Sequence, residues 1–212
     1  MKKEVTDMQN VECEMRIKEC EMQIEEEQLS SNPQSAIPNP QSKSLHILIA
    51  GIGNIFLGDD GFGSEVARRL IERELPREAR VIDFGIRGFD LTFALMDGYD
   101  VTIFVDATPR GGAPGTLYTI EPDLSEVNNM DAQGMIIETH NMNPLKALGM
   151  VKAMGGEFKR ILLVGCEPAP LDTEEGRMGL SAPVEAAVGE AVDLVESLIT
   201  KILEEERRTA TA

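Results

Sequence analysis

Positive charge is scarce in this chain: 20 Lys and Arg stand against 37 Asp and Glu, a formal net charge of −17 over 212 residues. Phosphate recognition needs Lys and Arg gathered on one face, so this balance argues against nucleic acid as a partner. Cysteine is equally thin, with Cys13, Cys20 and Cys166 forming no CxxC pair and no even framework. Such a set suits a reducing compartment and makes structural disulfides unexpected. No apolar run approaches membrane-spanning length, and the opening MKKEVTDMQN lacks the apolar stretch of a secretory signal. A soluble, cytoplasmic protein without membrane insertion is the expectation. The chain also has no GxSxG elbow and no HExxH helix, so two common hydrolase arrangements are missing.

What is present is enough apolar residue, 42% of the chain, for one sizeable core. Residues 1–44 read differently from the rest. ECEMRIK (12–18) is followed at once by ECEMQIE (19–25), and NPQS occurs at Asn32 and again at Asn39. About two heptads fall short of the three or four a coiled coil needs. The segment reads as a charged helical or disordered extension, with a flexible Ser-, Pro-, Asn- and Gln-rich tether at 30–44. A single domain is expected over 45–206, with a disordered tail at 207–212.

Within that domain LHILIAG (45–51), ARVIDFG (79–85), VTIFVDA (101–107) and ILLVGCE (161–167) have the apolar content of buried strands. Helical spacing marks 62–75 through Phe62, Val66, Leu70 and Ile71, then a short helix at 90–96 and another at 144–154. The connection from Asp106 to Gly115 is too short for a crossover helix, so GTLYTIE (115–121) is expected to return antiparallel as a hairpin partner. A long helix over 182–206 carries Val184, Val188, Val192, Val195, Ile199 and Ile202 on its inner stripe, with Ser181 as its cap and Pro183 in its first turn. The alternation predicts an α/β fold: one domain, a twisted, mostly parallel (mixed) sheet, and helices on both faces.

Chemistry-bearing residues fall where apolar segments give way to turns. Asp60, Asp106 and His140 offer two carboxylates and an imidazole, a set able to hold zinc or nickel with positions left open. In the loop before the first helix one of Asp59 and Asp60 can cap the helix, leaving the other for work. Gly51, Ile52 and Gly53 begin a dinucleotide fingerprint, but Phe56 stands where its third Gly belongs. Asp83 sits where a ribose-binding acid would, so nucleotide binding stays open as an alternative. His46 reads as a packing histidine of the first strand. Cys166 could pair with His140 as a nucleophile, although a small buried thiol accounts for it more simply.

GIGNIFLGDDGFG (51–63), VIDFGIRGFDL (81–91), IFVDATPRGGAPGTLY (103–118), THNMNP (139–144), LLVGCEP (162–168) and GLSAPVEAAV (179–188), taken in order, resemble the hydrogenase maturation proteases. Members of that family remove a C-terminal extension from the large-subunit precursor of nickel-iron hydrogenases once nickel has been inserted. The resemblance implies that Asp60 and Asp106 are the family's metal-contacting acids, that His140 is its histidine, and that Asp83 is a fourth cleft residue. It implies nickel carried by the precursor, no organic cofactor, and the precursor as partner; it leaves the oligomeric state open. A non-cleaving metallochaperone that binds nickel-loaded precursor through the same ligands is the alternative.

Overall fold

The structure, a computed structural model, describes residues 45–124, 144–170 and 178–210. The extension 1–44, most of the weakly patterned stretch from 123 to 138, and His140 lie outside the described residues.

Five strands make one sheet: β1 (Ile47–Ile52), β2 (Ala79–Gly85), β3 (Val101–Ala107), β4 (Leu117–Ile120) and β5 (Arg160–Cys166). Their spatial order is β2-β1-β3-β5-β4, with β1 parallel to β2 and β3, β3 parallel to β5, and β4 antiparallel to β5. Four α-helices accompany them among the described residues: α1 (Phe62–Ile71), α2 (Gly88–Met96), α3 (Pro144–Ala153) and α4 (Ala182–Thr209). The predicted α/β class with a mostly parallel mixed sheet is therefore the observed one.

Every residue of β1 is buried because the strand has neighbours on both edges and helices on both faces. Its side chains alternate between two cores. Ile47 and Ile49 pack with Phe62, Val66 and Leu70 of α1 and with the valine and isoleucine stripe of α4. Leu48, Ala50 and Ile52 pack with Leu91 and Leu95 of α2 and with Leu148 and Val151 of α3. Each fully buried aliphatic side chain of this kind stabilises the fold by about 1.5–3 kcal/mol. The two cores thus fix the sheet, and with it the loops at the strands' carboxyl ends.

Four expectations change in detail. The 115–121 segment is an edge strand on β5 rather than a hairpin partner of β3, because both edges of β3 are already taken by β1 and β5. Helix α1 stops at Ile71, which is exposed, so Ile71 does not belong to the inner stripe. His46 precedes β1 and is exposed rather than packed. Helix α4 runs on to Thr209, into the segment expected to be a tail. Arg207 and Arg208 in its last turn suit the negative end of the helix dipole, and Arg208 pairs with Glu204 one turn back.

Candidate functional site

From β1 the chain moves outward to β2 and then returns to β3 on the opposite side of β1. The carboxyl ends of β1 and β3 therefore flank a switch point, the place where open α/β sheets bind ligands. The turn that follows β1 is built for close approach. Gly53 has φ 140°, and a Cβ there would lie 1.8 Å from the carbonyl oxygen of Asp60, so no other residue fits. A Cβ on Gly63 would lie 2.0 Å from the carbonyl oxygen of Val105. The first turn of α1 is thus pressed onto the end of β3. The close helix packing that a dinucleotide fingerprint assigns to its third glycine is made here by Gly63, past the whole loop, which is why Phe56 can occupy the earlier position.

A 3-10 turn, Gly58–Gly61, delivers the two adjacent acids to different tasks. Asp59 is buried. Its carboxylate accepts the Ala169 N–H at 2.8 Å, the Ser181 hydroxyl at 2.8 Å and the Ser181 N–H. Asp59 is therefore no cap for α1, whose first residue has no side-chain cap, and Ser181, whose hydroxyl donates to Asp59, makes no side-chain cap bond to α4. The three bonds instead tie the turn before α1 to the connection between β5 and α4. Truncation would strand two N–H groups and a hydroxyl in a buried place, so Asp59→Ala should lower stability by about 2–4 kcal/mol, more than the ~1 kcal/mol of a lost helix cap. Thermal unfolding measures this, and Asp59→Asn should recover part of the loss.

Asp60 is exposed, and one of its oxygens accepts the Asn54 N–H at 2.8 Å. Its side chain lines a cleft of about 500 Å³ together with Leu57, Pro109, Gly111, Glu167 and Pro168. That volume lies within the range of small-molecule and peptide-side-chain sites. Asp106, near the end of β3, is close enough to feel the charge of Asp60, and its neighbour Ala107 lines the same cleft. Burial, reinforced by the charge of Asp60, pushes its carboxyl up to about 8, against the pull of a hydrogen bond from the Ala107 N–H. Burial and the charge of Asp60 thus both disfavour ionisation of Asp106, an effect that a cation beside the pair would relieve.

The stability consequence of Asp106 has a definite sign. Its folded-state value lies above the ordinary value near 4, so its contribution is present at low pH and is lost as pH rises through the window from about 4 to about 8. Asp106→Asn carries no such charge. In chelator, the variant should gain about 1–3 kcal/mol on the wild type between pH 5 and pH 8.5 in denaturant unfolding.

Asp83 lies elsewhere. One carboxylate oxygen accepts the Ser64 hydroxyl at 2.8 Å and the Gly85 N–H at 3.0 Å. It lines a second cleft of about 230 Å³ with Gly53, Ser64 and Ile86. That space is below the ~300 Å³ at which small-molecule sites begin. The structure thus brings Asp60 and Asp106 together and places Asp83 in the neighbouring cleft, while His140 lies outside the described residues. Among the described residues no cluster of three His, Cys, Asp or Glu side chains is gathered for a metal.

Cys166 is fully buried, and burial together with the charge of Asp59 pushes its thiol up to about 11. It is the inert thiol of the simpler reading. Glu167, next in sequence, is the residue that sequence reasoning passed over. It is buried at the cleft, and accepts the N–H groups of Arg110 at 2.8 Å and Gly111 at 3.0 Å and the Tyr118 hydroxyl at 2.8 Å. Burial alone would raise its carboxyl, but these donors win and hold it below the usual value. Its position carried a signal: like Asp106, it is a charge at the end of a buried strand.

A family model described as hydrogenase maturation protease (HycI) matches residues 64–198, more than half of the chain. The hydrogenase expression/formation protein HupD of Rhodobacter capsulatus is 31% identical over 153 residues, 71% of each chain. Among solved structures, the hydrogenase 2 maturation peptidase of a Thaumarchaeota archaeon superposes with a TM-score of 0.55 at 32% identity, over 73% of this chain and 98% of that one. The hydrogenase maturating endopeptidase HybD of E. coli superposes with a TM-score of 0.57 at 27% identity, over 74% and 93%. Fold and sequence agree across nearly the full length of those structures, and the chain belongs to the hydrogenase maturation protease family.

Proposed function

We propose that this protein is the endopeptidase that removes the C-terminal extension of a nickel-iron hydrogenase large-subunit precursor after nickel insertion, and that it recognises nickel on the precursor itself. The observation that carries the metal part is the Asp60–Asp106 pair at the switch point of the sheet, two acids near enough that the charge of Asp60 helps to push the Asp106 carboxyl up. Carboxylate oxygens and an imidazole suit nickel, so the donor set fits a divalent ion, with His140 as the third donor. Two carboxylates and one imidazole hold such an ion weakly, and soft donors from precursor cysteines would complete the coordination. Bound there, the ion supplies Lewis acidity toward the scissile carbonyl or an activated water. The protein's own part is to seat the precursor chain in the cleft, with Asp60 and Asp106 fixing the ion and Glu167 shaping the wall at 110–111. Asp83 orients the neighbouring cleft through Ser64 and Gly85. Cytoplasmic action accords with this role; among the described residues no helix is long and apolar enough to cross a membrane.

The test is the mass of the nickel-loaded precursor before and after incubation with the protein. A large subunit shortened at its C-terminus is the expected result. Stable binding without a mass change would favour the metallochaperone instead.

A further inference from the structure

Three consecutive large apolar side chains stand in solvent at the mouth of the site: Ile55, Phe56 and Leu57 are 53%, 59% and 46% exposed. Exposed apolar residues scattered singly are ordinary, but a contiguous run marks a surface that meets something. The turn that carries them is held by its own hydrogen bonds. The Asn54 side chain accepts the Phe56 N–H at 3.0 Å, the Asn54 carbonyl accepts the Leu57 N–H at 2.9 Å, and the Asn54 N–H is tied to Asp60 at 2.8 Å. The apolar side chains are therefore presented by a braced loop, and ordering it on binding costs little.

The ridge divides two clefts. Leu57 lines the larger one beside Asp60, while Ile55 and Phe56 line the smaller one with Ile86, itself 66% exposed. The smaller cleft, about 230 Å³, is below the size of a cofactor site but holds a side chain. The cation at its rim is engaged internally: Arg87 donates to the Phe84 and Asp83 carbonyls and pairs with Asp90. Because Leu57 lines the reaction cleft and its neighbours Ile55 and Phe56 line the smaller one, an occupant of the smaller cleft is continuous with a chain in the reaction cleft.

We infer that the Ile55–Phe56–Leu57 ridge and the cleft behind it, which joins Ile86 to Phe56, form a specificity subsite that seats an apolar side chain of the substrate polypeptide beside the cleaved bond. The inference rests on the processing-protease reading above. Its test is steady-state cleavage of nickel-loaded precursor by the full chain and by Phe56→Ser, Ile86→Ser and, as a control of equal exposure at the far end of α1, Ile71→Ser. Loss of the apolar contact should raise KM about tenfold in each subsite variant and leave kcat within about twofold, since this binding is shared by ground and transition states. Ile71→Ser should leave KM in place. Unmoved KM in both subsite variants, or an equal rise in the control, overturns the subsite. So does a change in oligomeric state of Phe56→Ser with KM unmoved, which would make the ridge a contact between copies. Failure of the wild type to shorten any precursor strikes the protease reading itself, whereas wild-type cleavage with unmoved KM strikes only the subsite.

Discussion

Asp60→Ala and Asp106→Ala should each reduce precursor cleavage by about 100-fold or more, and the double variant should fall little further, because removal of one ligand from a small set disables the set. Asp60 comes from the turn after β1 and Asp106 from the end of β3, so a strong coupling between the two variants would be the mark of one shared ion. Additive, mild losses would mean that they act independently. Folding is not the confounder it would be for Asp59. Asp60 is exposed, and its replacement removes one surface hydrogen bond. Replacement of Asp106 removes a carboxyl that must take up a proton to fold at neutral pH, so that variant should be at least as stable as the wild type there even as it loses activity. A site that costs stability and supplies function is the expected trade-off.

The parts of this fold legible in the sequence were those set by period and run length. Each apolar run that reads as a parallel strand became one, and the stripe Val184, Val188, Val192, Val195, Ile199 and Ile202 is buried along α4 as its spacing requires. Pairing partners were less legible. Local sequence gives the antiparallel direction of 117–120 but not the occupancy of the edges of β3, which depends on β1 and β5 far away in the chain. The site followed the same division. Asp60 and Asp106 could be found because an acid at a strand end is conspicuous; the opposite fates of Asp59 and Asp60 could not, since they depend on Ser181 and Ala169, more than a hundred residues on. Glu167 was hidden in the same way, by donors on the loop after β3.

Dependence on nickel in the substrate is the second large effect, and it follows from the weakness of the proposed donor set, Asp60, Asp106 and His140. Two carboxylates and an imidazole retain a divalent ion poorly, so the purified protein should be largely metal-free and chelator should leave it competent. On the proposed reading, nickel already bound to precursor cysteines would need only the remaining positions filled, and its charge would favour ionisation of Asp106 beside Asp60 on docking. The most direct measurement is the C-terminal mass of precursor, nickel-loaded or stripped, after incubation with chelator-treated protein. Shortening of the loaded precursor alone is the predicted result; efficient shortening of the stripped precursor would contradict recognition of substrate-borne nickel.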